Sequence, residues 1–217
     1  MKSKQNNIVL CQKMISFCSE LFSFRVPELF FIEDNKKTFH LMDSHLKSIS
    51  YDSRSLDQKV ETIYFDYKRY QMYINIDILK QSTTGLIIIL REMRHLYQLC
   101  QIQKLRKNQK VDEDRTTVQQ WRHAYQVMGQ HRFQPEPIIE LDKNAFAKYI
   151  IYNLFDMEVK FKVLSKKMFR EYIERMELKY DPIMLVDLAE KHKIKTRIAR
   201  YIYLDNFQVE ILSGIEA

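Results

Sequence analysis

The stretch Leu90-Arg-Glu-Met-Arg-His-Leu-Tyr-Gln98 carries the residues best placed for chemistry. On a helix, positions i and i+4 lie on one face. A His-Glu-x-x-His spacing therefore brings two imidazoles to one zinc ion, and the Glu beside the first His activates the metal-bound water. Here Glu92 stands at the general-base position and His95 at the second ligand position. The first ligand position holds Arg91. A guanidinium has donors and no lone pair, so it cannot ligate a cation and repels one.

A second stretch, Ile139-Glu-Leu-Asp-Lys-Asn-Ala-Phe-Ala147, puts Glu140, Asp142 and Lys143 at the start of an apolar helix. A carboxylate from a second helix is a sensible third ligand beside two histidines. His123, His131 or Asp142 could supply the ligand that Arg91 cannot. The plainer expectation is a surface or loop residue for each His, and a helix-dipole partner for Asp142.

Together the two stretches resemble the ImmA/IrrE-like zinc peptidases of phages and mobile elements. That group carries a helix of the form HELRHAYQ, followed by E-x-x-A-N-x-F-A. Arg91-Glu-Met-Arg-His-Leu-Tyr-Gln98 departs from the first at its leading His and at Met93 and Leu96. Glu140 to Ala147 departs from the second at Lys143, where the group has Ala. The resemblance covers about residues 60–150. It implies a zincin-like central helix, Glu92 as catalytic base, and His95 and Glu140 as metal ligands. It also implies that Tyr73-Ile-Asn-Ile-Asp77, just before the helix, lies at a cleft edge able to hold an extended chain. With Arg91 in the first ligand position, an ion pair of Arg91 with Glu140 is expected to replace the metal's charge.

The elements that must position these residues follow from pattern. Apolar residues recur near the helical period over 7–23. Leu29-Phe-Phe-Ile-Glu-Asp34 reads as a strand, and residues 35–58 as a polar loop with a short helix near 42–48. Thr62–Tyr67 and Gln71–Asp77 are rich in strand formers and close enough for a hairpin. A long helix follows to about 107, apolar on every side over Gly85–Leu90, with Ser82, Thr83 or Thr84 able to cap it. Further helices are expected at 116–128 and from 138 to about Lys179, separated by a loop over the Pro135–Pro137 stretch. Asp181 caps and Pro182 opens the next helix, and a last short one holds residues 196–204. The expected fold is α+β, mostly helical, with a small antiparallel sheet of about three strands. A metallopeptidase-like domain over 1–158 and a basic helical part over 159–217 are expected.

Composition bounds the alternatives. With only 3 glycines and 4 prolines, the chain has no Gly-rich phosphate loop, so common nucleotide-binding motifs are excluded. The 3 cysteines are unpaired in number and not spaced as C-x-x-C, which suits buried thiols in a reducing cytoplasm. No run is long enough for a membrane span. A nucleophilic Cys is disfavoured because Cys100 does not share a face with His95. The net charge of +7 permits an acidic partner. Basic residues mingle with aromatics in Ser165–Arg175 and Lys191–Tyr203, so nucleic-acid binding is one alternative. An active metallopeptidase with a rearranged zinc site is another. The reading these observations favour is a cofactor-free binding or regulatory protein of a phage or mobile element, with a host or phage protein as partner.

Overall fold

The computed structural model describes residues 2–33, 37–42, 45–49, 62–80, 82–128 and 138–196. Along the chain lie α1 (Lys2–Leu21), β1 (Glu28–Glu33), β2 (Lys37–Met42), β3 (His45–Ile49), β4 (Ile63–Asp66) and β5 (Gln71–Asn75). A 3-10 turn (Ile76–Leu79) leads into α2 (Ser82–Arg106), and α3 (Arg115–Met128), α4 (Ile138–Phe155), α5 (Lys166–Lys179) and α6 (Pro182–Lys191) follow. The fold is α+β, with helices predominating over one small sheet. The chain forms two compact units, Met1–Leu96 and Tyr97–Ala217.

In the first unit the sheet runs in the order β3-β2-β1-β5-β4. Its three anticipated strands became β1, β5 and β4. The sheet is mixed rather than wholly antiparallel, because β1 and β5 pair in parallel from Glu28↔Gln71 to Ile32↔Asn75. Residues 29–32 and 72–74 are buried without alternation, as expected of strands covered on both faces. Phe30 stacks on Tyr73 with ring centroids 5.0 Å apart. The hairpin β4–β5 closes without Asn-Gly chemistry: Asp66 Oδ1 accepts from the backbone N–H of Lys68 and Arg69, at 2.9 and 3.2 Å.

The expected loop and short helix within 35–58 are corrected. Lys37–Met42 and His45–Ile49 form an antiparallel hairpin that extends the sheet beyond β1. A polar segment can do this because ladder hydrogen bonds are made by backbone, and an outer strand needs no continuous apolar face.

On α1, Ile8, Cys11, Met14, Ile15 and Cys18 recur at helical spacing and are buried. Each of the Ile and Met side chains contributes about 1.5–3 kcal/mol relative to exposure. Asn7 Nδ2 donates to Leu79 O at 2.7 Å and fastens the helix to the 3-10 turn. The start of α2 also lies close to that turn. A Cβ on Gly85 would sit 3.0 Å from Ile78 O, so glycine permits the approach. The first turns of α2 are not buried all round: Leu86, Ile89 and Leu90 are buried, while Ile87 and Ile88 are half-buried.

In the second unit α4 is the helix buried nearly throughout, from Ile139 to Leu154. It packs against α3, α5 and α6. The expected continuous helix from 138 to Lys179 is broken. Asp156 adopts φ 51° and ends α4, its N–H still donating to Tyr152 O at 2.9 Å. Ser165 then caps α5 by accepting from Met168 N. The cap at Asp181 is as expected: its Oδ1 accepts from Ile183 N and Met184 N, at 2.7 and 3.1 Å. The expected loop around Pro135 and Pro137 and the last short helix near 196–204 fall almost wholly outside the described residues.

Candidate functional site

Both motifs lie on α-helices, as their chemistry requires. Arg91, Glu92 and His95 share α2 within the first unit, and all three are half-buried. Arg91 and His95 are one turn apart, and Arg91 Nε is buried. Met93 and Arg94 fill the intervening, fully buried positions. Arg94 is 1% exposed, and its guanidinium lies 5.9 Å from the centroid of the Phe22 ring. A cation over an aromatic face gains electrostatic attraction, which offsets part of its desolvation. Sequence reasoning passed over Arg94 because it stands at an unassigned spacer of the motif.

Glu140 lies in the first turn of α4, in the second unit, where the helix dipole favours a carboxylate. Its Oε1 is 2.6 Å from Lys143 Nζ, and the two side chains are 26% and 8% exposed. Lysine is almost never so deeply buried unless it is paired. The signal was present in the sequence as an i, i+3 spacing, but burial cannot be read from spacing.

Asp142 is 1% exposed, and it is more than a dipole partner at a helix start. Its Oδ2 accepts from Gln98 Nε2 at 2.7 Å. The same Nε2 donates to Ile139 O at 3.2 Å, and Gln98 Oε1 accepts from Tyr125 OH at 3.1 Å. This network links the end of α2 with α3 and α4. Of the other candidate rescue ligands, His123 is exposed on α3, and His131 lies outside the described residues.

The donor set does not fit zinc. Arg91 offers a cation where a lone pair is needed, and the Glu140 carboxylate is held by an ammonium. Among the described residues, no group of three or more His, Cys, Asp or Glu is arranged to hold a metal ion.

The strand expected at a cleft edge is corrected as well. β5 lies between β1 and β4, so both of its sides are paired. The outer strands are β3 and β4, and Tyr64 on β4 is 42% exposed. Cys100 is half-buried, and burial raises its thiol against a smaller opposing pull from Lys104, which does not favour a thiolate nucleophile.

On α5, Tyr172 is buried and Phe169 half-buried, while Lys166, Lys167, Arg170 and Arg175 are exposed. Tyr172 is 4% exposed, with the Arg175 guanidinium 4.8 Å from its ring centroid. Phe161 and Phe169 meet edge to face at 6.1 Å. Arg170 pairs with Glu174 at 3.3 Å. Stacking on bases needs exposed rings, and these rings are engaged in packing. No described helix is long and apolar enough to cross a membrane.

No family model, curated protein or solved structure matches the chain.

Proposed function

We propose that this chain is a degenerate zinc-metallopeptidase-like protein of a phage or mobile element, and that it acts in the cytoplasm by binding a host or phage protein rather than by hydrolysis. The observation that carries this reading is the pair of cations at the two motifs. Arg91 stands at the first ligand position, and Lys143 holds the carboxylate of Glu140 at 2.6 Å. The helical setting of both motifs, on α2 and α4, supports the resemblance from which the roles of Glu92, His95 and Glu140 come. An outer strand such as β4 has backbone groups that an extended segment of a partner can pair with.

The test is metal content by elemental analysis of protein purified without a His tag, beside turnover of unfolded protein substrates. The expected result is no bound zinc and no hydrolysis. Stoichiometric zinc, with hydrolysis that Glu92→Gln abolishes, would overturn the reading and favour an active peptidase with a rearranged site.

A further inference from the structure

We infer that the exposed flank of α5 is a self-complementary docking surface, on which a second copy of this chain lies antiparallel and forms a weak two-fold dimer. The inference stands on the second unit alone and is independent of the metallopeptidase-like reading.

The helix α5 is a fixed platform: Tyr172 and Met176 are buried, and the helix packs against α4. Beside that buried face, Met168, Glu171, Arg175 and Leu178 follow one another at steps of three, four and three residues. On a helix these steps draw one stripe, of the kind along which two helices pack. All four residues are exposed, Met168 at 38% and Leu178 at 90%. A single exposed apolar residue is ordinary. Here two of them close the ends of one stripe, with opposite charges between them. Ile183, at the start of α6, adds exposed apolar surface beyond the Leu178 end.

The order of the stripe decides the occupant. From either end it runs apolar, charged, charged, apolar, and the two charges are opposite in sign. Laid antiparallel on itself about a point between Glu171 and Arg175, it sets Met168 of each copy beside Leu178 of the other. It also sets Glu171 of each beside Arg175 of the other. A parallel pairing in register would bring like charges together, which repel. The antiparallel one satisfies every position twice, as an isologous interface requires. The same reversal carries Lys166 and Lys167, near the start of α5, towards Glu174 and Glu177 near its end. Arg175 is already positioned, its guanidinium 4.8 Å from the Tyr172 ring centroid, so it loses little freedom on pairing. One helical stripe is smaller than a standard interface, so the dimer is weak and reversible.

The experiment is sedimentation velocity of the full-length chain over a concentration series at low salt. The samples are the wild type, Leu178→Ser, Glu171→Arg, Arg175→Glu and an equimolar mixture of the two charge variants, with circular dichroism to confirm folding. The wild type should pass from monomer to dimer as its concentration rises through the micromolar range. Each single variant should weaken dimerisation at least ~10-fold. The mixture should regain it, because both interchain pairs then join opposite charges again, and mixing cannot repair a change within one helix. If a charge variant does not fold, Leu178→Ser, altered at a side chain 90% exposed, still decides the matter. A wild type that stays monomeric at the highest concentration, a dimer indifferent to the folded variants, or charge variants that stay apart when mixed would each overturn the inference.

Discussion

Gln98→Leu tests the buried polar network of the second unit. Gln98 is fully buried, and its side-chain amide makes three hydrogen bonds, to Asp142, Ile139 and Tyr125. Leucine nearly conserves the volume, so the cost comes from the polar groups left behind. Tyr125 is half-buried, and its hydroxyl can turn towards water. The Asp142 carboxylate, 1% exposed, cannot. A buried group that loses a hydrogen bond costs about 1–3 kcal/mol, and more when it is charged, so a loss of about 3–4 kcal/mol is expected over the three bonds. Trp121, the sole tryptophan, is fully buried in the same unit, and its fluorescence reports unfolding there. With a urea slope of roughly 2 kcal/mol per molar, the midpoint should fall by about 1.5–2 M. In Gln98→Leu/Asp142→Leu both partners are apolar, and the double-mutant cycle should return a coupling of about 2 kcal/mol. A midpoint shift for Gln98→Leu corresponding to less than about 1 kcal/mol, or a coupling near zero, would refute the assignment of Asp142 to Gln98.

Other perturbations test other parts of the structure. Lys179 Nζ pairs with Glu113 and donates to Tyr97 OH at 2.8 Å, and it lies 4.8 and 5.4 Å from the Tyr97 and Tyr180 ring centroids. Lys179→Met should cost about 1–2 kcal/mol in urea unfolding at low salt and less at 0.5 M salt, about the salt at which surface charges are strongly screened. Hydrogen bonds from Lys104, then from Gln101, hold the Asp112 carboxyl below its ordinary value of 3.8. A depressed folded-state value contributes stability above the unfolded value, which is lost as pH falls through the folded one. The Asp112 side chain is 47% exposed, so the effect is small. Asp112→Asn should shallow the decline of urea midpoints between about pH 4 and pH 2, the range bracketed by the ordinary carboxylate value. Burial pushes the thiols of Cys11 and Cys18 far up, and that of Cys100 less deeply from a half-buried position. A thiol-disulfide reagent should label Cys100 first in native protein, with Cys11 and Cys18 reacting only on unfolding.

Much of the frame was legible because apolar residues repeat with a period. β1, β4 and β5 were visible as short runs of Phe, Ile and Tyr, and α1, α2 and α6 by helical spacing or by the Asp181-Pro182 start. The hairpin β2–β3 was hidden because its sequence alternates weakly and its pairing is a property of backbone. The end of α4 was hidden because an aspartate, not glycine or proline, takes the left-handed conformation at 156. In the candidate site, the motif spacing put Glu92, His95 and Glu140 on helices. Spacing could not reveal that Arg94 lies under Phe22, nor that Lys143 is buried on Glu140, since arginine and lysine are ordinarily surface residues.

The parallel seam between β1 and β5 has a kinetic consequence. The β4–β5 and β2–β3 hairpins join neighbours in sequence and can form within about 1–10 μs. The seam joins Glu28 to Gln71, so the whole intervening chain must be closed before a single seam contact repays the entropy lost. Formation of the first unit is thus paced by one long-range closure rather than by its helices. Shortening the connection between β3 and β4 should quicken refolding while leaving the rate of unfolding nearly unchanged.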